Sequence, residues 1–228
     1  MTAALHRLET APDLVDQAYR ALQIAISSGA LAAGERITQE ELAARLAVSR
    51  QPVLQALRLL KKDGLVEDAP GRGLRVAALD TQAIVHTYQV RGALDALAAR
   101  LAAERRAALP PGLLREGRRA SRGREVPAMI EADLAFHRAL YAASANPFIE
   151  RSAETHWIHI RRAMGAVLQN SRARRPVWDE HESIADAVAR GDAAAAEAAA
   201  STHATQASAY LARQLDSNLG AAGAGVTR

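Results

Sequence analysis

The residues of this chain best suited to chemistry are an aspartate and three histidines in its second half. Asp133 and His137 lie four apart in a stretch of helical periodicity, so they share a face about one turn apart. His181 lies ten residues before Gly191, and His203 eleven residues after Asp192. If the chain folds back at Gly191-Asp192 as an antiparallel helical hairpin, a rise of about 1.5 Å per residue puts each histidine roughly 15–17 Å from the turn. The two imidazoles then come level. One carboxylate with three imidazoles and no thiolate suits a borderline divalent metal ion, zinc first, with nickel or manganese as alternatives. Spacing by itself does not separate that site from four unrelated polar positions on different helices. Arg91 can pair with Asp95 four residues on. His156 and His159, one turn apart, form a rival donor pair. With Arg161 and Arg162 they are secondary candidates for lining a site.

The elements that must hold these residues are helical. Of the 228 residues, 49% are hydrophobic and only 4% aromatic, with alanine supplying much of the apolar fraction. An Ala- and Leu-rich chain with few β-branched runs favours helices. The expected fold class is mainly α: a winged helix-turn-helix module over residues 1–77, an all-helical bundle over 78–216, and a disordered tail at 217–228. In the bundle, Asp80 caps a long helix to about residue 107, with Val85, Leu94, Leu97 and Leu101 on its inward stripe. Further helices are expected at about 111–121, 127–143, 147–170, 176–190 and 192–215, broken by Pro110-Pro111, Asn146-Pro147 and Gly191. There is no cysteine. That excludes disulfides and thiolate metal sites and suits a reducing cytoplasm. No apolar run has the length of a bilayer span or the form of a signal peptide, so no membrane partner is expected.

Residues 37–77 carry a different chemistry. Asp13 can cap a helix over 14–28, with Leu14, Ala18, Leu22 and Ile26 on one stripe. Thr38 starts the next helix, and Glu41 completes a capping box. Ala47-Val48 makes a tight turn, Ser49 caps a third helix, and Pro52 sits in its first turn. Val53, Ala56, Leu57 and Leu60 form the buried stripe of that helix. Strands at 65–67 and 74–76 flank a Gly-rich tip, Pro70-Gly71-Arg72-Gly73. Two helices and a basic wing fit the major groove of double-stranded DNA. Arg50 can fork onto guanine, and Gln51 and Gln55 can pair with adenine. Arg58, Lys61, Lys62, Arg72 and Arg75 suit phosphates. Thr38 and Ser49, at the two helix starts, complete the expected contacts. The net charge of +4 does not mark this module, because residues 1–78 hold ten Lys and Arg against nine Asp and Glu; the placement of the basic residues does. Arg115, Arg118, Arg119, Arg122 and Arg124 form a second basic cluster, read as a solvated face.

The stretch Gly29-Ala-Leu-Ala-Ala-Gly-Glu-Arg-Ile, then Glu41-Leu-Ala-Ala-Arg-Leu-Ala-Val-Ser-Arg-Gln-Pro-Val, then Ala56-Leu57, Gly64-Leu-Val and Gly71-Arg-Gly, resembles the winged-helix head of GntR-family transcription regulators over residues 14–77. In that family Pro-Val is usually followed by Arg-Glu, whose arginine reads bases. Here Leu54-Gln55 follows, so that contact is not carried over. Residues 80–215 resemble the all-helical FCD effector domain of the FadR-type branch. Its metal-binding members carry Asp-x-x-x-His, a Glu-His-x-x-Ile stretch and a histidine in the last helix; this chain has Asp133 with His137, Glu180-His181-Glu-Ser-Ile184, and His203. The resemblance implies a metal in a central cavity, Arg91 facing it, and a small carboxylate effector reaching the ion. It also implies a cytoplasmic homodimer that binds a roughly palindromic operator, as a repressor relieved by ligand. Two alternatives stand beside it. One is a metal-dependent hydrolase or oxygenase, for which spacing supplies no separate general base. The other is a purely structural metal in a domain that only dimerises.

Overall fold

Ala18, Leu22 and Ile26 recur every four residues and form the buried stripe of α1 (Leu14–Ser27). Leu14, expected on the same stripe, is exposed. The computed structural model describes residues 14–123, 125–168 and 176–224, so Asp13 lies outside the described residues. The described chain divides into two compact units. One holds residues 14–26 and Ala30–Ala78; the other holds Ser27–Gly29 and the chain from Leu79 onward.

In the first unit, β1 (Arg36–Ile37) leads into α2 (Gln39–Leu46). Thr38 is the N-cap of α2, and its Oγ1 accepts from the Glu41 backbone N–H at 3.2 Å. Such a cap satisfies one of the orphan donors of the first turn. Ala47 closes α2 in the left-handed region at φ 53° and so makes the tight turn. Ser49 sits at the N-cap of α3 (Arg50–Lys62), but its side chain makes no capping hydrogen bond. Val53, Ala56, Leu57 and Leu60 are all buried, as their spacing predicts. The wing strands are β2 (Val66–Asp68), one residue later than expected, and β3 (Leu74–Val76). Strand β3 lies between β1 and β2, antiparallel to both, with Ile37 opposite Leu74 and Val66 opposite Val76. The two-residue β1 was not anticipated: it is too short to show alternation, and its pairing with β3 defines it. Gly71 and Gly73 take φ of 88° and 97° at the wing tip, a region closed to most side chains.

In the second unit, Asp80 caps α4 (Thr81–Glu104) by accepting from the Gln82 N–H at 2.9 Å. There follow α5 (Leu113–Arg122), α6 (Val126–Ser144), α7 (Pro147–Leu168), α8 (Val177–Arg190) and α9 (Ala193–Ala224). Residue 170, the expected end of α7, lies outside the described residues. Gly191 ends α8 at φ 73°, and Asp192 Oδ1 accepts from the Ala195 N–H at 3.0 Å at the start of α9. The hairpin at Gly191-Asp192 therefore forms. Two expectations are corrected. Helix α9 runs to Ala224, through the stretch from 217 read as a disordered tail; the alanines there are strong helix formers, and they continue a helix already nucleated. Residues 225–228 lie outside the description. On α4 the buried face is Ile84, Tyr88, Arg91, Asp95, Ala98, Ala99, Ala102 and Ala103, while Leu94, Leu97 and Leu101 are half-buried at its flank. Small alanines let neighbouring helices approach closely, and Arg91 and Asp95 enter the core as a pair. A hydrophobicity stripe is blind to both effects.

Gly117 of α5 is where Trp178 of α8 packs. A Cβ there would fall 1.9 Å from the indole ring. Gly117→Ala should therefore destabilise the bundle by about 1–3 kcal/mol through overpacking. Urea unfolding of the variant against wild type checks this.

Candidate functional site

Four helices of the second unit bring the sequence-selected residues together. Asp133 and His137 come from α6, His181 from α8, His203 from α9 and Arg91 from α4. His137 and His181 are 0% exposed and His203 2%. Their ring centroids lie 5.3 Å (137–181), 5.3 Å (137–203) and 4.6 Å (181–203) apart. One nitrogen from each ring lies within 4.8 Å of the others, the one such grouping of three His, Cys, Asp or Glu donors among the described residues. Two ligands on opposite sides of one ion at ~2.1 Å would be ~4.2 Å apart, so a small contraction would bring the trio onto a common centre. Asp133 stands at the edge of the trio, its Oδ1 3.6 Å from His181 Nε2.

The packing around the rings orients them. Phe136 stacks on His181 at 4.1 Å, and Trp178 meets the same ring edge-on at 4.7 Å. Glu180 Oε2 lies 2.7 Å from His203 Nδ1. With the carboxylate accepting, Nδ1 carries a proton, which leaves Nε2 as the nitrogen that could ligate a metal. His137 Nδ1 lies 3.6 Å from Asp95 Oδ1, and Arg91 Nη2 lies 2.7 Å from His137 Nε2. A guanidinium and a metal cannot share one lone pair. Ligation through that nitrogen therefore requires Arg91 to yield that contact and keep its other one, to Asp95 Oδ2 at 3.0 Å. Tyr141 donates to Asp95 Oδ1 at 2.5 Å, and the Arg91 guanidinium lies over Trp157 at 4.2 Å.

These contacts set the charge states. Burial depresses the pKa of His137, and the nearby Arg91 charge adds to the effect, so its imidazole is held neutral. Burial alone would raise Asp95, but the Arg91 charge and the Tyr141 hydrogen bond outweigh it and hold the carboxyl below the usual range. Burial likewise works against the Arg91 charge, and Asp95 more than restores it. Burial, then Asp95, pushes the Tyr141 phenol up, so it stays a donor. Beside the cluster lies a cavity of about 50 Å³, bordered by Arg91, Asp133 and His203.

Asp95, Tyr141 and Glu180 are the parts that sequence reasoning did not select. Asp95 was visible only as a possible partner of Arg91, and Glu180 only as the neighbour of His181. The secondary candidates are not members of the histidine trio. Arg161 pairs with Glu131, Arg162 is buried, and His156 and His159 are half-buried on α7. In the basic cluster on α5, Arg118 pairs with Asp179 at 2.6 Å and Glu182 at 2.7 Å; Arg124 lies outside the described residues.

In the first unit, Thr38, Ser49, Arg50, Gln51, Arg58 and Arg72 are exposed, while Gln55 and Leu54 are half-buried. Arg50 is held by Glu40 of α2. Lys61 pairs with Asp68 at 2.6 Å and Arg75 with Glu67 at 2.7 Å, so these two cations are partly committed within the module. Arg36 donates to the Pro70 carbonyl at 2.6 Å and steadies the base of the wing.

Residues 14–76 match the family described as bacterial regulatory proteins, gntR family, and residues 86–206 match the FCD domain. The chain belongs to the GntR family of transcription regulators, in its FCD-bearing branch. Among its GntR relatives is an uncharacterized HTH-type transcriptional regulator in an unstable DNA locus of Streptomyces ambofaciens, 32% identical over 76% of this chain and 74% of that protein. A probable D-xylose utilization operon transcriptional repressor of Paenarthrobacter nicotinovorans is 29% identical over 96% of each chain. The solved structure of E. coli McbR/YncC shares the fold at a TM-score of 0.75, with 23% identity over 89% of this chain and 98% of that one. GntR proteins with FCD domains are DNA-binding transcription regulators and not enzymes, which removes the hydrolase or oxygenase alternative. No helix among the described residues is long and apolar enough to cross a membrane.

The depressed pKa of His137 has a direct consequence for stability. The unfolded imidazole, near pKa 6.5, binds its proton more readily than the folded one, so the contribution is complete above about pH 6.5 and is lost as pH falls below it. Metal-free protein should therefore unfold at lower urea at pH 5.5 than at pH 7.5, by up to about 1 kcal/mol from this group. His137→Gln should flatten that dependence; an unchanged slope would contradict the assignment.

Proposed function

We propose that this regulator is a homodimeric, cytoplasmic repressor whose helical domain binds a divalent metal ion and senses a small carboxylate through it. The observation that carries this reading is the convergence of His137, His181 and His203 in the bundle core. These three would hold the ion with Asp133 as the fourth ligand, zinc first and nickel or manganese as alternatives. The ion would supply a Lewis-acidic centre for the effector's carboxylate. Arg91, at the cavity wall, would donate to the same group. Glu180 would keep His203 in the ligating tautomer, and Asp95 would steady Arg91 as it leaves His137.

In the DNA-binding module, Arg50, Gln51 and Gln55 would read base edges at the start of α3. Thr38, Ser49, Arg58 and Arg72 would meet phosphates. Two such modules would bind a roughly palindromic operator, because a two-fold protein matches a two-fold site. Effector binding can shift the equilibrium between DNA-binding and released states only by its difference in affinity for them. A purely structural ion is the second reading, favoured by the nearly complete burial of the three histidines.

Metal analysis and DNA binding together test both. Zinc-loaded wild-type protein should carry one ion per chain, and His137→Ala and His203→Ala should lose it while the DNA-binding module still binds duplex DNA in low salt. Organic acids should raise the melting temperature of the loaded protein only. Retention of zinc by both variants would contradict the site. Metal-dependent stability with no acid response would favour the structural reading.

A further inference from the structure

One side chain touches both nitrogens of a candidate metal ligand. Arg91 Nη2 lies 2.7 Å from His137 Nε2 and 3.0 Å from His137 Nδ1. In a neutral imidazole one ring nitrogen has the lone pair, and a donor and an ion cannot share it. Arg91 therefore stands at that lone pair whichever nitrogen carries it.

Charge adds to this contact. Arg91 is 1% exposed, and in a low-dielectric core a cation repels a second cation strongly. Burial works against the guanidinium charge, but Asp95 chiefly outweighs it and keeps the group protonated. The carboxylates at the trio act in the opposite sense. Asp133 Oδ1 stands 3.6 Å from His181 Nε2, and Glu180 Oε2 stands 2.7 Å from His203 Nδ1, so both favour a cation there. Arg91 opposes them from the His137 side.

The arginine is anchored so that it can give up the histidine and keep a partner. Its Nη2 pairs with Asp95 Oδ2 at 3.0 Å, four residues on in the same helix. Tyr141 donates to the other oxygen of Asp95 and fixes that carboxylate. The guanidinium lies over the Trp157 ring at 4.2 Å, and Arg91 borders the cavity beside the cluster.

Resting on the reading of a three-histidine metal site, we propose that Arg91 competes with the metal for His137, so that ion entry and guanidinium release are one exchange. The arginine weakens the site and keeps its ion exchangeable, as a sensor requires and a structural ion does not. Arg91 is a positioning residue: it ligates nothing and acts through His137.

The test is the zinc affinity of full-length protein at pH 7.5, read by competition with a chromophoric chelator. Arg91→Met removes both the contact and the charge, and should bind zinc about tenfold more tightly than wild type, the scale on which groups behind a metal ligand act. Arg91→Lys keeps the charge and should stay near wild type. A merely supporting role for Arg91 would give the reverse, weaker zinc in both variants. Zinc held equally or more weakly by Arg91→Met overturns the proposal, as does Arg91→Lys binding as tightly as Arg91→Met. If Arg91→Met does not fold, the crystal structure of zinc-loaded wild-type protein decides. A guanidinium clear of the ligating His137 nitrogen and still paired with Asp95 supports the exchange; one still hydrogen-bonded to that nitrogen overturns it. Failure of wild type and Arg91→Met alike to bind zinc overturns the metal reading itself, a result distinct from equal binding.

Discussion

Burying three imidazoles in a helical core is unfavourable unless each ring nitrogen finds a partner, and this requirement organises the second unit. A buried polar group without a hydrogen bond costs on the order of 1–3 kcal/mol. Glu180 meets that demand for His203, and Arg91 with Asp95 meets it for His137, while Asp133 Oδ1 stands 3.6 Å from His181 Nε2, beyond hydrogen-bond reach. Burial and the Arg91 charge together keep His137 unprotonated. Three imidazoles brought this close offer donors to a divalent cation, so the packing of this core and the geometry of a metal site coincide.

The Arg91–Asp95 pair is the second organising element. A buried ion pair is weak evidence for stability, because the desolvation of two charges offsets much of their attraction. Its value here lies in position. It sits on the face of α4 that fronts the histidines, and it replaces the leucine stripe that a regular amphipathic helix would place there. The alanines around it, Ala98, Ala99, Ala102 and Ala103, allow close helix approach and leave the polar pair at the centre. Core packing and the electrostatics of the site are thus settled by the same helix face.

Much of this was legible from residue spacing. The level of His181 with His203 follows from a turn at Gly191-Asp192 and the rise of a helix, and their rings are 4.6 Å apart. The caps at Thr38 and Asp80 were readable because the residue type and the following helical pattern agree. The face of α4 was not, because hydrophobicity periodicity gives no weight to alanine and counts a buried charged pair as surface. The role of Glu180 was hidden for a different reason: whether a carboxylate beside a ligand histidine reaches the next helix depends on the rotation of α8 against α9. The head shows the same division. The buried stripe of α3 followed from apolar spacing, whereas the Arg50–Glu40 and Arg75–Glu67 pairings depend on how neighbouring elements dock. Family resemblance supplied what spacing could not, namely that a winged head and a histidine-lined bundle belong to one regulator.

The central claim is that the three core histidines share one ion. X-ray absorption at the zinc edge of loaded full-length protein tests it most directly. The account predicts a first shell of three imidazole nitrogens and at least one oxygen at about 2.0–2.1 Å, with the outer-shell scattering of histidine rings. A shell of water or carboxylate oxygens with fewer than two imidazoles would contradict it.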